Sequence, residues 1–267
     1  MTQEERLNYL LERFKTDSGE YAGLQIGSSE DEKRRVLRSL MNVRLPRDMD
    51  AETLHVQDEY LRERAEEKGV VALADIPCIA GYPQISIWQG DITRLAVDAI
   101  VNAANSQMLG CFVPMHACID NCIHSFAGVQ LRVECNRQMG LLRARYGRSY
   151  EQPTAVPMLT DGYNLPAKKI VHIVGPIVER QLTEALEQDL ADCYTNTLDL
   201  CAKNGLRSVA FCCISTGVFH FPNDRAAEIA VKTVLAWLSE HKGQMDRVIF
   251  NVFKEADKAL YERLLAR

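Results

Sequence analysis

VDAIVNAANSQMLGC, residues 97–111, opens on an apolar run and closes on amides and small residues. The run AIVN (99–102) reads as a strand, and the polar residues after it mark where the chain leaves the sheet. Five other short runs share its character: QISIW (84–88), TAVPM (154–158), KIVHIV (169–174), SVAFCCI (208–214) and RVIFNVF (247–253). Several are apolar on both faces, as a strand must be when helices cover the sheet on each side. Helical stripes fill the intervals: Leu186, Leu190, Cys193 and Leu198 form one, and Ala226, Ala230, Val234, Trp237 and Leu238 another. The alternation predicts an α/β fold built as an α/β/α sandwich.

Upstream of the sheet the pattern changes. Leu7, Leu10, Leu11 and Phe14, then Val36, Leu37, Leu40 and Met41, are spaced for one face of a helix, and the charged stretch 51–68 fits a third, more exposed helix. No Gly/Ser-rich linker follows, so residues 1–80 are expected to be a helical extension packed on a main domain of residues 81–267. An apolar content of 47% over 267 residues can supply a sizeable core. The net charge of -5 disfavours nucleic acid as a partner, because polyanion binding depends on clustered cations. No apolar stretch is long enough for a membrane span, and the charged N-terminus is unlike a signal peptide. Nine cysteines, an odd number scattered through apolar runs, read as reduced thiols of a cytoplasmic protein. A monomer is expected.

Three polar clusters stand where strands should end, which is where open α/β sheets bind ligands: GDIT (90–93), NAANSQMLGC (102–111) and STGVF (215–219). Small residues between a strand and a helix bring backbone N–H groups against a phosphate. Taken in order, WQGDIT, VDAIVNAANS, VHIVGP and ISTGVF resemble the signature of the macrodomain family, over about residues 83–267. That resemblance implies a mixed central sheet and ADP-ribose as ligand. It places Asp91 and Ile92 at the adenine, Ser215, Thr216, Gly217, Val218 and Phe219 around the diphosphate and distal ribose, and Asn105 on that ribose. Each has a plainer reading: Asp91 as the cap of a turn, Asn105 as a turn stabiliser, Phe219 as a core aromatic.

Where most macrodomains carry glycines after this point, the chain reads Cys111-Phe-Val-Pro-Met-His116-Ala-Cys118. C-x4-H-x-C offers two thiolates and an imidazole, the ligand types zinc favours, and three protein ligands leave a fourth position open as in catalytic sites. Cys122, one turn beyond Cys118, is a competing ligand that would close a structural site; buried thiols and a core histidine are the metal-free reading. His124 is expected in the core or on the surface, and His220 to flank the phosphate or fill space. The segment is similar to the zinc-dependent microbial macrodomains, which also carry a helical extension. This implies one catalytic Zn2+ and removal of mono-ADP-ribose from modified proteins, with a lipoyl-carrier protein of the glycine cleavage type, modified by a sirtuin-type transferase, as a candidate substrate. It also implies that Asp120 orients or deprotonates the attacking water beside Asn105, with helix capping as that residue's plainer role. A non-catalytic ADP-ribose reader and a deacetylase of O-acetyl-ADP-ribose are the alternatives.

Overall fold

In a computed structural model that describes residues 1–266, the chain opens with three helices: α1 (Gln3–Thr16), α2 (Glu30–Val43) and α3 (Ala51–Lys68). Thr2 and Glu5 form a capping box at the first, while Ser29 and Asp50 accept backbone N–H groups at the others. The apolar face legible in the sequence is a packing face. Leu7, Leu10, Leu11 and Phe14 meet Leu37, Leu40, Met41, Val56 and Tyr60 in a cluster of their own.

A short parallel pair, β1 (Val71–Ala72) and β3 (Leu95–Ala96), ties the end of this helical segment to the main body. The main sheet contains β2 (Ile85–Gln89), β4 (Ala99–Ala104), β5 (Met158–Asp161), β6 (Lys169–Val174), β7 (Ser208–Phe211) and β8 (Arg247–Val252). Its order is β2-β8-β7-β4-β6-β5, parallel throughout except for β5 against β6. Helices α4 (Ile119–Ala127) and α5 (Val129–Tyr146) pack together against β4 and β5. The other layer is α6 (Glu184–Lys203), α7 (Asn223–Glu240) and α8 (Glu255–Leu265), with contacts to β6, β2 and β8. Ile100, Val101, Ile170, Val171, Val209, Ala210, Val248 and Ile249 are all fully buried between the layers, as the two-sided apolar runs require.

Two local expectations are corrected. TAVPM is not a strand: residues 154–155 form a turn with Ala155 at φ +61°, and β5 begins only at Met158. Pro153 and Pro157 flank that turn, and neither has an N–H to give to a ladder. The one-turn spacing of Cys118 and Cys122 does not put both inside a helix either, because Cys118 is the N-cap and not a helical residue. Met115 is left-handed at φ +56°, and α4 begins at Ile119 with Cys118 as its N-cap.

The helical segment is joined to the main body by polar contacts. Buried Arg132 of α5 donates from Nη1 to the carbonyls of Met41, Asn42 and Arg44 at 3.2, 2.8 and 2.5 Å, satisfying the free end of α2. Its Nε donates 2.7 Å to Leu109 O, in the loop after β4. Burial lowers this guanidinium's pKa only to about 10, so it stays charged at neutral pH. Among the described residues no helix is long and apolar enough to cross a membrane.

Candidate active site

Because β2, β4, β6, β7 and β8 run parallel, their C-terminal ends share one edge of the sheet, and the loops leaving them carry the polar clusters. Strand β4 runs beside β6 through Ala104 but, among the described residues, pairs with β7 only at Ala99 and Ile100. The loops after β4 and β7 are therefore free to part around a ligand.

Asp91 does cap a turn: its Oδ1 accepts from Thr93 N at 3.0 Å and Thr93 Oγ1 at 2.6 Å. Its Oδ2 is not used there and lies 3.8 Å from Lys68 Nζ, so the capping role leaves one carboxylate oxygen for an exocyclic amine. The Ile92 side chain, at 1% exposure, belongs to the core, and only its backbone can meet a ligand. Sequence reading missed Phe253. It follows β8 directly beside the end of β2 and is 76% exposed, a free ring face of the kind that stacks on a purine. Its signal was an aromatic at the end of an apolar strand, easily absorbed into the strand itself.

Residues 215–219 form a loop closed by bonds from Phe221 N to Ser215 O (3.0 Å) and His220 N to Gly217 O (3.1 Å). Ser215 and His220 have φ of +63° and +57°, an uncommon backbone for residues with side chains and one that turns successive N–H groups to one side. Ser215 is buried, and among the described residues its Oγ has no partner. Thr216 is half-buried with its hydroxyl on Cys213 O, Gly217 is exposed, and Val218 is 65% exposed. Half-buried Phe219 accepts from Val178 N at 2.9 Å, linking this loop to the one after β6. In that second loop, a side chain at Gly175 would collide with Ser215 Oγ, which explains the glycine of VHIVGP.

Asn105 stabilises a turn, its Oδ1 accepting from Gln107 N at 3.0 Å, and its amide nitrogen points to Gly110 O (3.4 Å) and Asp120 Oδ2 (3.5 Å). Asp120 does not cap α4; Cys118 does. Asn102 Nδ2 instead donates to Asp120 Oδ1 at 2.8 Å and to His172 Nδ1 at 3.0 Å. Burial pushes His172 down to about 3, so its ring is neutral and its Nε2–H faces Thr160 Oγ1 at 2.9 Å. Burial also pushes Asp120 up to about 6, opposed by the Asn102 bond and Arg132. Thr160, His172 and Asn102 lie on three different strands or registers, so no local pattern announced that they would meet behind Asp120.

Cys111, His116 and Cys118 come together: their ligand atoms all lie within 4.8 Å of one another. Zinc bonds of about 2.3 Å to sulfur and about 2.1 Å to nitrogen, at a tetrahedral angle, set sulfur and nitrogen about 3.6 Å apart. The Cys111 Sγ to His116 Nδ1 distance is 3.6 Å, a sulfur hydrogen bond as it stands and also the separation of two ligands of one ion. Cys122 stands apart from the cluster; its sulfur lies 3.5 Å from Arg38 Nη2. Residues of α2 hold the loop in shape. Asn42 Oδ1 accepts from Met115 N at 3.0 Å, and Arg38 Nη2 donates to His116 O at 3.0 Å and Asn121 Oδ1 at 2.7 Å. Asn121 Nδ2 in turn donates to Cys111 O and Val113 O at 3.3 and 2.9 Å. His124, by contrast, is buried in the core, and His220 is exposed beside the 215–219 loop.

Comparison with known proteins bears on the family. Residues 101–230 match the family model described as Macro domain. The "Protein-ADP-ribose hydrolase" of Treponema medium is 49% identical over 268 residues, covering 100% of both chains. The protein of the same description from Staphylococcus aureus strain Mu50 is 44% identical over 263 residues, covering 98% of this chain and 96% of its own. Among solved structures, the Trypanosoma brucei macrodomain in complex with ADP-ribose superposes with a TM-score of 0.64 at 30% identity, covering 89% of this chain and 96% of that one. With the fold, the parted strand ends and these relatives in agreement, the chain belongs to the macrodomain family.

Proposed function

We propose that the protein is a protein-ADP-ribose hydrolase with a catalytic zinc ion held by Cys111, His116 and Cys118. The observation that carries this reading is the three-ligand cluster on the loop that leads from Asn105 to Asp120. Relatives described as protein-ADP-ribose hydrolases, matched over nearly the whole chain, support the activity. Held by these three residues, such an ion would supply Lewis-acid polarisation of a substrate or water oxygen.

The chain's own groups do the rest. Asp91 Oδ2 and the ring of Phe253 receive the adenine, the backbone N–H groups of 215–219 receive the diphosphate, and the Asn105 amide orients the distal ribose. Asp120 keeps Oδ1 on Asn102 and turns Oδ2 towards Asn105, where it aligns the attacking water or accepts its proton. The reduced thiols of the cluster fit a protein working in the cytoplasm, and residues 1–80 act as an extension that braces the metal loop.

The test is a panel of proteins carrying mono-ADP-ribose through defined linkages, a lipoyl-carrier protein of the glycine cleavage type among them. Released ADP-ribose and bound metal are measured with and without chelator. Release that needs the metal supports the reading. Stoichiometric zinc with no release from any linkage identifies a reader, and turnover confined to O-acetyl-ADP-ribose identifies a deacetylase.

A further inference from the structure

Between α2, α3 and α4 lies a cavity of about 390 Å³, next to the metal loop, with which it shares Met115. Its cations are Arg34, Arg35, Arg38, Arg64 and Lys68, against Asp31 as the one lining carboxylate, and its apolar lining includes Leu37, Leu61 and Phe126. On a chain of net charge -5 this is a local excess of positive charge.

Several of these cations are incompletely matched. The Nε groups of Arg34 and Arg38 are buried and, among the described residues, have no acceptor, although a buried guanidinium N–H without a partner is costly. Arg34 shares Glu30 and Glu67 as ion-pair partners, and Arg64 also pairs with Glu67. Exposed Arg35 has no ion-pair partner among the described residues. Lys68 lies over the Phe126 ring, 3.0 Å from its centroid, and its nearest carboxylate oxygen is that of Asp91 at 3.8 Å. Burial brings its ammonium down to about 8, against the attraction of Asp91.

We infer that this cavity binds an acidic segment of the modified protein, with carboxylates on the arginine N–H groups and a neighbouring apolar side chain against half-buried Met115 and Phe126. Guanidinium forks are suited to carboxylates, and the apolar floor distinguishes such a segment from an inorganic anion. Arg38 spans both sites, since the same guanidinium that faces the cavity holds His116 O. The segment's role as substrate rests on the hydrolase reading; its binding does not.

Two measurements on the full chain separate these claims. In the first, a short fluorescein-labelled peptide of alternating Glu and Leu, without ADP-ribose, is titrated by anisotropy beside its Gln/Leu counterpart. Saturable binding of the Glu peptide is expected, weakened about tenfold by Arg34→Gln/Arg35→Gln. It should be unchanged by the equal-charge control Arg145→Gln/Arg148→Gln on exposed residues outside the cavity. Should the double variant misfold, Arg35→Gln alone is expected to weaken binding about threefold. No binding, equal binding of both peptides, or equal loss in the control overturns the inference. In the second, ADP-ribosylated peptides with Glu or Gln flanks are compared as substrates, and the Glu flank is expected to lower KM with little change in kcat. Peptide binding without hydrolysis of any substrate would sink the hydrolase reading and leave the acidic-segment site standing.

Discussion

At the scale of single residues the site divides by what each side chain is free to do. Cys122 is occupied by Arg38, so Cys122→Ser is expected to keep one zinc per chain by elemental analysis, whereas Cys118→Ser loses it; zinc lost from both would indicate a four-ligand site. Asp120→Asn should lower kcat by about 10²–10⁴ while zinc content stays whole, because the carboxylate lies beside the cluster and is not in it. The candidate ligands were legible because C-x4-H-x-C crowds three donors into eight residues. Asn102, His172 and Thr160 were not, since they meet only after β4, β6 and β5 pair. Ile92 shows a different limit: a motif names a position without saying whether its side chain or its backbone is available.

Between elements, the informative contact is that of α2 with the metal loop. A loop containing a left-handed Met115 has no ladder to stiffen it, and it takes its shape from Asn42, Arg38 and Asn121. Asn42→Ala removes both the half-buried bond from Met115 N and the buried bond to Ser125 Oγ, which should cost about 1–3 kcal/mol in chemical denaturation. It should also weaken zinc about 10- to 100-fold in competition with a chromophoric chelator, as loss of an outer contact does elsewhere. Unchanged zinc affinity in a folded Asn42→Ala protein would make the helical extension a bystander to the metal site. The helices and most strands were legible from periodicity, but TAVPM was misleading because its alternation resembles a strand while Pro153 and Pro157 deny it a ladder. That α2 would land on the 111–118 loop had no local signal, because it depends on how α1–α3 pack as a body.

The molecule as a whole keeps two neutral imidazoles inside. Burial holds His172 down at about 3 and His124 well below 6.5. Both bind protons more readily unfolded, so the stability they contribute is complete above pH 6.5 and is lost as pH falls towards the folded value, at up to about 1.4 kcal/mol per pH unit for each. Asp120, raised to about 6, works in the opposite sense between about 6 and its ordinary range, leaving a net acid destabilisation. Urea midpoints measured from pH 7 to pH 4 should therefore fall, and a flat profile would contradict the buried neutral histidines. The central claim, that the family's ADP-ribose cleft is here completed by a catalytic zinc ion, has a more direct test. Metal-free protein is reloaded with increasing fractions of zinc, and ADP-ribose release from a modified protein is measured at each loading. Release proportional to bound zinc, reaching its maximum at one ion per chain and vanishing at none, is the expected result; undiminished release from protein shown to contain no metal would contradict it.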